Sequence, residues 1–428
     1  MDKTNTKHRT ATQGRLGLRI FTLALLCFSG AFGAKAQVVT AEDSLATGLI
    51  KSDRSTVLSG YGEAKYGLDT KRNSSEARLT RVVLFVGHKF SSKISLFTEM
   101  ELEDAFVAGA GSDEGGGKGL GAIAMEQAFL KFNINPSTYL IAGLFIPRIG
   151  FINENHLPST FNGVDRPYLE QQVIPAVWRE LGVGLYGQVR NIPGLNYSVS
   201  LTNGLNSQAF SSSAGIGGGT QLGQATEGTN LGISASLLYY VRNFRIQASG
   251  YISGSTALER RVADSLMLDH GAFGNPVSLG EVNVVYSNGP VEARAIGTVV
   301  HVANAFAINR AFANNTPEQL YGAYGELAYD LLYSRFRGDK SLAVFGRYEW
   351  MDLSAKTPSN GIDNPANRKQ YIIGGLTYRP VRGVSVKADY VRRITGEFNP
   401  ALIVTPYPQQ VPYFKDNGFV NLGIGYNF

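Results

Sequence analysis

Apolar and polar residues alternate with a period of two along most of the chain. In the final stretch Val420, Leu422, Ile424, Tyr426 and Phe428 share one face, and Asn421, Gly423, Gly425 and Asn427 share the other. Leu195, Tyr197, Val199 and Leu201 alternate with Asn196, Ser198, Ser200 and Thr202. Ile94, Leu96, Met100 and Leu102 oppose Ser95, Glu99, Glu101 and Glu103. Val384, Val386, Ala388 and Tyr390 oppose Ser385, Lys387 and Asp389. Successive side chains of a strand point to opposite faces, so this is the signature of strands with one apolar face. Sixteen strands are predicted: 57–68, 75–90, 93–104, 121–134, 137–146, 178–190, 195–203, 228–241, 244–253, 278–286, 291–302, 319–332, 341–352, 369–378, 384–393 and 417–428.

A soluble sandwich would show the same alternation; strand and loop lengths discriminate. Many of these strands exceed the usual five or six residues and suit the roughly 9–11 that a tilted membrane strand needs. The connections sort by length. Ser91-Ser92, Asn135-Pro136, 191–194, Arg242-Asn243 and 287–290 are short, whereas 105–120, 147–177, 204–227, 254–277 and 394–416 are long. Short turns on one side and long loops on the other describe an outer-membrane barrel. The fold expected is all-β, a transmembrane antiparallel up-and-down barrel of about 16 strands over 57–428. Tyr66, Tyr239, Tyr286, Tyr329, Trp350, Tyr378 and Tyr426 fall near strand ends, where aromatic girdles lie.

Composition agrees. A mean hydropathy of −0.07 suits a barrel with apolar residues at alternate positions only. No stretch approaches 18 continuous apolar residues, so helical spans are not expected. Residues 1–36 read as an export signal: a basic start (Lys3, Lys7, Arg9, Arg15, Arg19), the apolar run 20–28 and Ala34-Lys35-Ala36 at the cleavage site. Residues 37–56 are too short for a domain and read as a periplasmic segment.

The signal also carries most of the charge. The chain has 40 Lys and Arg against 34 Asp and Glu, a net +6. Residues 1–36 hold six of those bases and one of the acids, leaving 34 against 33, or +1. Nothing in that balance supports nucleic-acid binding. The single Cys, Cys27, lies in the signal and excludes disulfides.

The candidate chemistry lies in the lumen. Loop 147–177 is the third external loop and the longest. By architectural analogy with general porins it folds inward, bringing Arg148, Asn153, Glu154, Asn155, His156, Asp165, Arg166 and Glu170 to a constriction, with Arg179 and Glu180 at its exit. Strand parity adds the inward bases Lys65, Lys131, Arg245, Arg294, Arg347 and Lys387. It also adds the inward acids Glu63, Glu99, Glu101, Glu103, Glu281, Glu292, Glu326, Asp330, Glu349 and Asp389. Parity leaves Arg78 and Arg81 open. Six bases face ten acids, so a pore neutral to cation-leaning is expected. A phosphate-capturing cluster of Lys or Arg is not visible.

The segment 143–167, GLFIPRIGFINENHLPSTFNGVDRP, and the preceding strand 125–132, MEQAFLKF, resemble the phosphate-selective porin O and P family. The ending at Phe428 resembles the terminal-aromatic signal read by the barrel insertion machinery. The resemblance implies a bacterial outer-membrane diffusion channel for small solutes or ions, often a homotrimer in lipid, and leaves the solute open.

Other readings have less support. His156 and Ser159 lie three apart with no oriented third partner, too little for a hydrolase. The mature histidines His88, His156, His270 and His301 are scattered and without Cys, so no cofactor or metal is expected. Asp104, Asp113 and Glu114 read as solvated loop acids rather than a calcium site. Glycine-rich 115–119 lacks the Ser or Thr and the helix of a phosphate loop. A structural or adhesive barrel with a blocked lumen is the remaining alternative.

Overall fold

A computed structural model of the chain describes residues 55–104, 122–333, 340–402 and 412–428. The export signal, most of the N-terminal segment, Asp113, Glu114 and the glycine run 115–119 lie outside the described residues.

Sixteen antiparallel strands form one closed barrel in sequence order, each paired with its chain neighbours and the last with the first. They are β1 (Thr56–Asp69), β2 (Ser74–Lys89), β3 (Ile94–Glu103), β4 (Ile123–Asn135), β5 (Thr138–Phe145), β6 (Glu180–Gln188), β7 (Leu195–Asn203) and β8 (Leu231–Val241). The second half comprises β9 (Phe244–Ser253), β10 (Val277–Asn288), β11 (Val291–Val302), β12 (Gln319–Asp330), β13 (Ser341–Lys356), β14 (Arg368–Arg379), β15 (Val384–Thr395) and β16 (Asp416–Asn427). All sixteen expected strands are present, with ends displaced by a few residues. The barrel closes where Gly60 N donates to Phe428 O at 3.1 Å and Phe428 N to Gly60 O at 2.9 Å. Closure pairs the wall's backbone groups, so no edge meets hydrocarbon.

The period-two pattern becomes an inside and an outside. Leu58, Leu237, Val282, Leu327 and Ile424 point outward and are exposed. Their neighbours in sequence, including Asn283, Glu326, Ser236 and Ser59, point inward and are buried.

Bulges break the parity in two informative places. Glu63 pairs with Arg81 and Lys65 with Arg78, with a register shift between. Paired residues share a face, so Arg78 and Arg81 both turn inward although three apart. On β4 the register shifts between Glu99–Gln127 and Met100–Met125. Glu126 becomes the extra residue and is buried inside rather than facing lipid.

Residues 146–179 lie inside the barrel. They contain one short helix, α1 (Leu169–Gln172), and otherwise turns. Ile149, Leu169, Val173, Ile174 and Trp178 pack on the inward residues Tyr251, Leu279, Ile296, Tyr324, Met351 and Tyr371. Leu157 joins a second buried group with Tyr61, Val83, Phe85, Phe97, Phe129 and Ile141. Each such side chain removed from water contributes roughly 1.5–3 kcal/mol. Glycines on the inner wall make the approach possible. A Cβ on Gly425 would stand 2.4 Å from Pro158 Cβ, and one on Gly322 would stand 2.4 Å from Leu169 Cδ1.

Candidate functional site

The loop's shape is set by two internal clasps. Asn153 Nδ2 donates to Ile149 O at 2.9 Å and Pro175 O at 3.1 Å, and Asn153 Oδ1 accepts from Trp178 N at 3.1 Å. Glu170 Oε2 accepts from the backbone of Phe151 at 2.6 Å and Ile152 at 2.7 Å. Its Oε1 accepts from Tyr324 Oη of β12 at 2.8 Å. Burial pushes the Glu170 carboxyl up to about 7 despite these bonds, because no cation accompanies it. Asn155 Nδ2 makes a longer bond to Phe151 O at 3.3 Å. Asn153 and Glu170, expected at a constriction, thus organise the loop itself.

Charged pairs tie the loop to the wall. Glu154 receives Arg148 of the loop on Oε1 and Arg245 of β9 on Oε2. Burial would raise its pKa, yet the two guanidiniums outweigh that and hold the carboxyl below its ordinary range. Arg245 also donates to Asn283 Oδ1 at 2.9 Å. Arg347 of β13 bridges Glu326 at 3.1 Å and Glu349 at 2.9 Å, and donates to Asn162 O at 3.3 Å. Glu349 Oε2 in turn accepts from Leu169 N, the first residue of α1, at 2.8 Å. Arg294 donates to Glu292 at 2.8 Å and to Thr160 O at 2.9 Å. Lys387 Nζ donates to Phe161 O at 3.0 Å, and Asp389 accepts from Val164 N at 2.6 Å. Lys65 meets Asp165 at 2.6 Å. Burial would raise Asp165, but Lys65 overrides it and the carboxyl is held low.

A third group lies between the loop and strands β1–β4. Arg81 bridges Glu63 and Glu101 at 2.9 Å each, and Arg179 approaches Glu101 at 3.6 Å. Tyr61 Oη donates to Glu126 at 3.0 Å, and Gln127 Nε2 to Glu99 at 2.9 Å. His156 sits against them. Burial, reinforced by Arg166 and Arg81, brings its pKa down to about 3, so the ring is neutral. Arg166 Nη2 donates to His156 O at 3.2 Å. Lys131 stands apart, its ammonium 4.0 Å from the Tyr139 ring centroid.

The expected site residues therefore divide by access. The Arg347 and Glu349 side chains are 1% and 0% exposed, whereas those of Lys65, Asp165 and Glu292 are 17%, 29% and 35% exposed. The latter three border water within the barrel. Ser159, considered as a nucleophile, gives its hydroxyl to Asn427 Oδ1 at 2.8 Å.

Sequence reasoning missed Glu126 because a bulge turned it. It also missed the apolar lining of β2. There the continuous run Val82–Val83–Leu84–Phe85–Val86 signals a strand covered on both faces, lipid outside and the loop inside.

No family model matches the chain. Among solved structures, the fold is similar to the outer membrane channel DcaP of Acinetobacter baumannii, with TM-score 0.52 and 14% identity over 87% of this chain and 97% of that one. It is also similar to a loop L8 deletion mutant of OmpT, an outer membrane protein of Vibrio cholerae, with TM-score 0.50 and 10% identity over 87% and 99%. The closed wall, its apolar exterior and these likenesses define a transmembrane β-barrel of the outer-membrane type. More particularly, the chain belongs to the family of an uncharacterized protein of Aquifex aeolicus (strain VF5), to which it is 30% identical over 349 residues, 78% of this chain and 75% of the relative.

Proposed function

We propose that this barrel is a passive diffusion channel of the bacterial outer membrane for small hydrophilic solutes or ions, with the inward-folded loop as its constriction. One observation carries the reading: a loop that could have lain outside is tied to the inner wall by ion pairs and hydrogen bonds to β9, β11, β12, β13 and β15. Such a loop narrows the lumen without closing the barrel. Lys65, Asp165 and Glu292 border the remaining path.

Selectivity is weak and neutral to cation-leaning. Arg81, Arg148, Arg245, Arg294 and Arg347 each meet a carboxylate, so their charge is locally cancelled. A phosphate preference, which the resembled family's name suggests, would need unmatched donors clustered on the path. Export through the signal 1–36, insertion through the Phe428 segment and assembly as a homotrimer complete the proposal.

The test is a planar-bilayer recording of the purified protein in a KCl gradient. Discrete steps with a reversal potential near zero or on the cation side are expected. A strongly anion-selective potential would refute the selectivity. Absence of steps would favour a structural barrel with a blocked lumen. That second reading has its own support, because the loop descends as far as Asn427 at the end of β16.

A further inference from the structure

Two carboxylates and an imidazole meet where the loop crosses β3 and β4, buried away from the partly exposed residues Lys65, Asp165 and Glu292. Glu99, Glu126 and His156 each place one potential ligand atom so that all lie within 4.8 Å of one another. The three residues are 1%, 0% and 1% exposed. Both ring nitrogens of His156 are buried and make no hydrogen bond among the described residues. A fully buried imidazole ordinarily has at least one nitrogen satisfied. The ring is turned to the carboxylates nonetheless: its Nε2 lies 3.8 Å from Glu99 Oε2. That is too long for a hydrogen bond, but two metal–ligand bonds of about 2.0–2.2 Å would span it.

The surroundings fit an ion better than a proton. Arg81 gives its direct ion pairs to Glu63 and Glu101. Glu99 and Glu126 accept hydrogen bonds from the neutral donors Gln127 Nε2 and Tyr61 Oη, the kind of second layer that orients ligating carboxylates. Tyr61 also packs against the His156 ring, with centroids 5.7 Å apart, fixing its plane.

We propose that Glu99, Glu126 and His156 form a binding site for one divalent cation of borderline hardness, with Zn2+ as its representative, that pins the loop to the wall. One imidazole with two carboxylates suits such an ion, and the dication balances both acids. Arg81 and Arg166 stand near enough to oppose it, so the site is weaker than a structural zinc centre.

The test is Zn2+ titration of the full-length, tag-free, folded barrel in detergent by calorimetry. One Zn2+ per chain is expected. His156→Phe and Glu126→Gln should each weaken binding at least about tenfold, on the scale of disrupted metal shells, while Glu227→Gln on an external loop leaves it unchanged. No binding by the unaltered chain, or undiminished binding by His156→Phe, overturns the proposal. Because a variant can fail to fold, X-ray absorption of the Zn2+-loaded unaltered chain provides an independent arm. One imidazole in an all-nitrogen-and-oxygen shell supports the site, and a shell without imidazole overturns it. Neither arm depends on transport.

Discussion

Two stretches of the same loop bury a carboxylate in opposite ways. Around Glu154 the acid is matched by Arg148 and Arg245, and its carboxyl is held low. Around Glu170 the acid is matched only by two backbone amides and a tyrosine hydroxyl, and its carboxyl rises to about 7. Both are almost fully buried. The difference is the counter-charge, since hydrogen bonds from neutral donors offset only part of the cost of desolvation. The first stretch is an electrostatic rivet to β9. The second is a neutral latch sensitive to protons.

The largest effect is expected from Glu154→Gln. It leaves two buried guanidiniums without their anion and should cost about 3–5 kcal/mol of loop anchoring. The readouts are a lower denaturation midpoint and a larger or noisier single-channel conductance. If both are unchanged, the rivet holds nothing.

The latch should show in pH. The folded pKa of Glu170 lies above its unfolded value of 4.5. The folded state therefore holds the proton more tightly, and stability from this group is full below about pH 4.5 and is lost as pH rises to about 7. The loss is on the order of 3 kcal/mol. Glu170→Gln keeps an acceptor for the amides and removes the titration, so the stability difference between it and the unaltered chain should grow across that window. A constant difference would show that Glu170 does not titrate there. Glu154 behaves oppositely: its contribution is present above its ordinary pKa and disappears in acid.

A smaller effect separates packing from charge. Gly425→Ala sets a methyl against Pro158 and should cost roughly 1–3 kcal/mol, raising conductance by displacing the loop while every ion pair near Glu154 survives. The smallest change belongs to the partly exposed pair. Lys65→Gln should cost less than about 1 kcal/mol yet move the reversal potential toward cations, because Asp165 is left facing water. No movement would place the path elsewhere.

Much of this was legible in the chain. Alternation placed the strands because each wall residue meets either lipid or lumen, and the sorted loop lengths gave the two ends of the barrel. Inward placement of Arg245, Arg294, Arg347 and Glu349 followed from parity. What failed did so at bulges: Thr80 and Glu126 each add one residue, and every face assignment beyond such a point is inverted. The role of Asn153 as an internal clasp was equally out of reach, since its partners Ile149, Pro175 and Trp178 become neighbours only when the loop turns back.

The sequence by itself determined the strands through their period-two pattern, and the barrel through strand length and the sorted loops, because these are local properties that survive any global arrangement. It also determined that the net charge resides almost wholly in residues 1–36. Only the tertiary structure decided which charges are matched. Glu154 with Arg245 and Lys65 with Asp165 join residues far apart in the chain, and no local pattern records whether a buried acid will meet a cation, an amide or an imidazole.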